Sequence, residues 1–100
     1  MSAETEALLE LMVSANAVVS GELHGGPARL RSLVCRAAAT AGTIVLRDGG
    51  VGGTIKLTIN TPAGVSSFAV PIPGGGISFK TDIYAVLTTA DGVTAFFRPL

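Results

Sequence analysis

The sequence predicts an all-β domain: about eight short antiparallel strands in a β-sandwich or jelly-roll-like barrel, with a short N-terminal helix or arm. Three observations predict it. Apolar and polar residues alternate with period 2 along most segments, which is the signature of strands buried on one face. Turn signals rich in Gly, Pro, Asn and Asp recur about every 8–12 residues. No long helical crossover separates the segments, as a parallel sheet would require. The division is residues 1–14 as arm or helix and residues 15–100 as the sandwich.

Residues 1–13, MSAETEALLELMV, are the one helix-like segment. Ser2 suits a cap, Glu4 and Glu6 suit the positive end of a helix dipole, and Leu8, Leu9, Leu11 and Met12 form an apolar face. A helix so short needs packing to persist in water. Either a docked helix or an arm ordered by assembly is expected. Residues 15–24 read as a first strand, closed by Gly25-Gly26-Pro27. Residues 28–38 read as a second, with Leu30 and Val34 on one parity and Arg29, Arg31, Leu33 and Cys35 on the other.

The clearest signal is residues 42–60, GTIVLRDGGVGGTIKLTIN, a hairpin around a glycine-rich turn. Ile44, Leu46, Ile55, Leu57 and Ile59 are expected to supply half of the core, and the tip at residues 48–52 a loop free to touch a neighbour. In residues 67–72, Pro71 confines the strand to an edge or a bulge, because it cannot donate to a central ladder. Ile77 and Phe79 follow the turn Pro73-Gly74-Gly75-Gly76. Residues 83–88 are apolar on both faces, which places them mid-sheet or under a subunit contact. Ala90-Asp91-Gly92 reads as a tight hairpin turn into the last strand, where Val93, Ala95 and Phe97 alternate with Thr94, Phe96 and Arg98.

Composition narrows the function. Hydrophobic residues make up 48% and charged residues 14% of the chain, and mean hydropathy is +0.58. Typical soluble domains carry about 25% charged residues. One hundred residues cannot bury so much apolar side chain, so part of it is expected at contacts between subunits. The competing account is that Ala and Val sit harmlessly on the surface. Seven basic residues balance seven acidic ones, which argues against a nucleic-acid surface. The balance is uneven: Glu4, Glu6, Glu10 and Glu22 give residues 1–22 a net of −4, and residues 23–100 carry +4. An acidic arm can dock on that basic body or on a neighbour's; a solvated tail explains the pattern as well. No apolar run reaches the roughly 18 residues of a membrane span. The acidic N-terminus lacks the basic leading region of a secretory signal, so folding in the cytoplasm is expected.

Candidate chemistry is sparse. His24 and Cys35 are the single imidazole and the single thiol, too few for a zinc site, and Cys35 reads as a small buried hydrophobe. A Cys35–His24 nucleophile pair across one turn is the remote alternative, lacking an orienting third group. Asp48 and Asp91 stand beside glycine, where turn hydrogen bonding explains them. Gly49–Gly53 lacks the Lys-Ser/Thr ending of a phosphate loop. No cofactor, metal or catalytic activity is expected. Tyr84 and Phe96 have outward parity and are the candidate aromatic platform of a glycan-binding face. Arg29 and Arg31 are the candidates for contact with an acidic partner surface, a neighbour's Glu-rich arm included.

Residues 42–64 and 70–97 also carry a resemblance. Arg47-Asp48-Gly49, Pro73-Gly74-Gly75-Gly76-Ile77, Thr81-Asp82-Ile83-Tyr84 and the Val93–Phe97 ending resemble motifs of small proteins encoded among the structural genes of tailed bacteriophages. The resemblance spans roughly residues 18–97 and rests on turn and strand motifs. It implies a β-sandwich subunit of a virion, assembled in the host cytoplasm: a head-decorating or cement protein, or a tail or connector component. It implies as partners its own copies, as a homotrimer or other homo-oligomer, and a major capsid or other virion protein. It brings no catalytic residues to transfer; charge balance and hydropathy, as above, argue against nucleic-acid and membrane partners. The competing expectation is a small glycan- or ligand-binding sandwich module.

Overall fold

A computed structural model describes residues 13–100, and they form an all-β fold of nine antiparallel strands in two sheets. The strands are β1 (Val13–Ala17), β2 (Gly21–His24), β3 (Ala28–Ala37), β4 (Gly42–Asp48), β5 (Thr54–Thr61), β6 (Ser66–Pro71), β7 (Ile77–Phe79), β8 (Ile83–Thr88) and β9 (Ala90–Pro99). The first sheet runs β1-β9-β3-β6, with β7 also paired to β3; the second runs β2-β8-β4-β5. Leu30, Leu33, Cys35, Phe79, Val93 and Phe97 from one sheet share a single core cluster with Leu23, Ile44, Leu46, Ile59 and Ile83 from the other. The two sheets therefore pack face to face as a sandwich. Each fully buried Leu, Ile, Val or Phe contributes about 1.5–3 kcal/mol relative to exposure.

Several sequence-based expectations match. The β4–β5 hairpin pairs Ile44 with Ile59 and Leu46 with Leu57. Pro71 ends β6, an edge strand, and doubly apolar β8 lies between β2 and β4. Others need correction. The expected first strand is two, in different sheets, because the chain crosses between layers at Val18–Ser20. Val13 and Ser14, expected in the arm, belong to β1 and pair with Phe97 and Phe96. The expected helix at residues 1–13, with Leu8, Leu9, Leu11 and Met12, falls on residues 1–12 outside the described part, apart from Val13.

The expected β8–β9 hairpin is instead a sheet switch. β8 pairs with β2 and β4, whereas β9 starts at Ala90 and pairs with β1 and β3. The corner turns at Thr89, the one described non-glycine residue with positive φ (51°). Its backbone rests on Gly42, where an added Cβ would overlap the carbonyl oxygens of Thr88 and Thr89.

Two bulges reassign side chains to faces. In β5 the register slips between Leu46 and Arg47, so Arg47 faces Ile55 and Lys56 is the extra residue. Ile55 thus joins the outward row with Arg47 and is 52% exposed, not part of the core as expected. In β3 the register slips between Leu30 and Ser32, making Arg31 the extra residue. Leu30 and Leu33 both point inward as a result, and Arg31 does not share a face with Leu33 and Cys35 as expected.

Candidate functional site

The most distinctive surface is the outer face of the first sheet. In β3 and β9 the inward positions are apolar, so the alternate positions carry their side chains to solvent. Arg29 stands directly opposite Arg98, with Ser78 of β7 on its other side. Side chains so opposed have Cβ atoms about 4.5–5.5 Å apart, and like charges there repel. The β3 bulge adds Arg31 beside them. Arg29 Nη1 and Arg31 Nη1 both donate to the Gly75 carbonyl, at 3.4 and 3.3 Å. Gly74, Gly75 and Gly76 all have positive φ (69°, 89° and 101°), which glycine adopts without steric cost. Gly76 sits so close to β3 that a Cβ would overlap the Leu30 carbonyl. The glycine turn thus presses its carbonyl toward both guanidiniums.

Further along the same face, Arg36 Nη1 donates to Thr94 Oγ1 at 3.1 Å and its Nη2 to Asn16 Oδ1. Thr94 Oγ1 donates to the same Asn16 oxygen at 2.9 Å. Gly92 is required beneath, since an added Cβ would collide with the Arg36 guanidinium and approach the Ala17 carbonyl to 2.9 Å. Phe96 lies between Ser14 and Ser32 and is 38% exposed. The strands of this sheet hold Arg29, Arg31, Arg36 and Arg98, and Asp91 as their one described carboxylate. Every hydrogen bond described for these arginines goes to a neutral acceptor.

One end of the sandwich is tied by a reciprocal pair of aspartates. Asp82 Oδ1 accepts from Gly49 N at 2.8 Å and Gly50 N at 3.1 Å. Asp48 accepts from Lys80 N at 2.9 Å, Thr81 N at 2.8 Å and Asp82 N at 3.4 Å. The backbone N–H of Lys80 acts most strongly to hold the Asp48 carboxyl below its ordinary range; burial opposes it, and the N–H groups of Thr81 and Asp82 and the charge of Lys56 add to the lowering. The hairpin tip expected to be free is therefore anchored through its amides to the β7–β8 connection. Asp48 works across 32 to 34 residues of chain, not within its own turn.

Other candidates separate. Arg29 and Arg31 do come together, with Phe96 on the same face. Tyr84 is outward too, but in the second sheet between Glu22 and Arg47, so Tyr84 and Phe96 look away from opposite sides of the sandwich. They cannot form one platform. Cys35 lies in β3 between Phe68 and Val93 and is fully buried; burial raises its pKa, partly offset by Arg36. His24 lies in the other sheet, its ring 4.9 Å from that of Phe97, which pairs with Leu30. Five residues of strand, roughly 16 Å, separate Leu30 from Cys35, so the two do not pair as a nucleophile and base. Among the described residues there is no pocket and no group of three potential metal ligands.

Sequence reasoning missed Arg98 and Arg36 as members of this surface. The signal needed was the β3–β9 register, which alternation alone does not contain. No family model, curated protein or solved structure matches the chain.

Proposed function

We propose that the protein is a non-catalytic structural subunit of a tailed-phage virion, a head-decorating or cement protein that bridges neighbouring shell subunits as a homotrimer or other homo-oligomer. The observation that carries this reading is the outer face of the first sheet, with four arginines and Phe96 laid across its strands. Arginine and aromatic residues are enriched at the energetic centres of protein interfaces. Such a face suits an acidic, partly apolar protein surface, here a major capsid or other virion protein. Binding to a lattice multiplies modest single contacts through effective concentration. The motif resemblance of residues 42–64 and 70–97 supports the same reading, and a tail or connector position would use the face in the same way. A glycan-binding role is less favoured, because Tyr84 and Phe96 do not share a face.

The test is co-sedimentation with phage heads assembled without this protein, alongside light scattering of the free chain. The expected result is saturable head binding, lost in the double variant Arg29→Glu/Arg98→Glu, and a free species larger than a monomer. A monomer that does not bind heads overturns the reading.

A further inference from the structure

The directly opposed pair Arg29 and Arg98 breaks a rule that sheets ordinarily keep, since like charges facing across strands destabilise the ladder. Arg31, bulged out beside them, adds a third cation. Violations of this kind persist where something else compensates. In residues 13–100 seven basic residues outnumber Glu22, Asp48, Asp82 and Asp91: Glu22 lies in the second sheet, Asp48 and Asp82 are engaged with backbone amides at the hairpin tip, and Asp91 stands seven residues along β9 from Arg98, roughly 23 Å. The remaining acids are Glu4, Glu6 and Glu10, and residues 1–12 have no basic side chain.

Position agrees with charge. Val13, which follows these residues, pairs with Phe97, one residue from Arg98. Arg29 lies two strand spacings from β1, roughly 10 Å. Glu10 is three residues from Val13 and Glu4 nine, spans of up to about 10 and 30 Å. All three carboxylates can therefore reach the three guanidiniums.

We propose that residues 1–12 dock, within the same chain, on Arg29, Arg31 and Arg98, with Glu4, Glu6 and Glu10 supplying the counter-charges. Guanidinium–carboxylate contacts are the strong, charge-assisted kind. Where the assembly reading of the previous section holds, this segment is the first occupant of the binding face, and an acidic partner must displace it.

The experiment uses the full chain with Ser2→Cys carrying a nitroxide; buried Cys35 escapes the reagent. Amide signals of residues 29, 31 and 98 should broaden in the spin-labelled, nitrogen-15-labelled chain. The broadening should vanish in Glu4→Gln/Glu6→Gln/Glu10→Gln, in Arg29→Gln/Arg98→Gln, and in about 1 M salt, where the Debye length is about 3 Å. A mixture of spin-labelled chain at natural isotope abundance with nitrogen-15 chain should show none. Absence of broadening, its survival in the glutamine variants, or its appearance only in the mixture overturns the proposal. Head binding and particle size are read separately, so either proposal can fail alone.

Discussion

Asp48 and Asp82 hold each other's turns: the carboxylate of Asp82 receives the amides of Gly49 and Gly50, and that of Asp48 receives the amides of Lys80, Thr81 and Asp82. The β4–β5 turn of the second sheet and the connection that crosses from β7 in the first sheet to β8 in the second are closed against each other without any ion pair between these side chains. Each acid satisfies donors that a β-ladder leaves unpaired at its end.

Asp82→Ala strands the amides of Gly49 and Gly50 and should cost about 1–3 kcal/mol. Asp82→Asn keeps one acceptor oxygen and should cost less. Urea unfolding midpoints of the two variants check the order; equal losses would mean that the clasp contributes through packing alone.

The Asp48 carboxyl titrates lower in the folded protein than in the unfolded chain. Its contribution to stability is therefore fully present above the unfolded value of about 4 and is lost as pH falls through the folded value. Asp48→Asn should flatten the acid limb of a stability-versus-pH curve and leave the shape above about pH 6 unchanged. Denaturant midpoints measured across that range are the check.

Gly42 touches the Thr88–Thr89 corner so closely that a methyl group has no room. Gly42→Ala should cost about 3 kcal/mol, the upper part of the overpacking range. Gly50→Ala meets open space and carries only the backbone penalty of positive φ, about 1–2 kcal/mol. Thermal midpoints of the two variants should differ accordingly.

Ile44 and Ile55 have the same residue type in one hairpin and opposite fates. Ile44→Ala empties a buried site and should cost about 2–5 kcal/mol. Ile55→Thr alters an outward position and should change stability by about 0.5 kcal/mol or less. A large loss at Ile55 would show that the β5 edge is covered by another copy.

The elements were legible in the sequence, and their partners were not. Alternation and glycine turns located β3 to β8 within a residue or two, and Pro71 and doubly apolar β8 even declared edge and centre. Alternation is a local property, so it could not say that β2 and β3, or β8 and β9, lie in different layers. It also assumes an unbroken period of two, which the bulges at Arg31 and Lys56 interrupt. For the same reason Arg29 and Arg31 were found, but Arg98 was not: its neighbour is set by a register spanning 69 residues of chain. The role of Asp82 was not legible, because its partners are backbone amides at Gly49 and Gly50, which carry no sequence signal of their own.

The placement of β9 between β1 and β3 has a consequence for how the protein is made. It is the last of the nine strands to leave the ribosome, yet it fills the middle of its sheet. Until it emerges, β1 has no partner and β3 lacks one side of its ladder, so the two layers cannot close over a common interior. At roughly 5–20 residues per second, the interval between β1 and β9 lasts on the order of 4–15 s. During that time Leu30, Leu33 and Cys35 await their cover. Closure of this domain must therefore wait for β9, and a ribosome stalled before Ala90 holds a chain that chaperones should recognise.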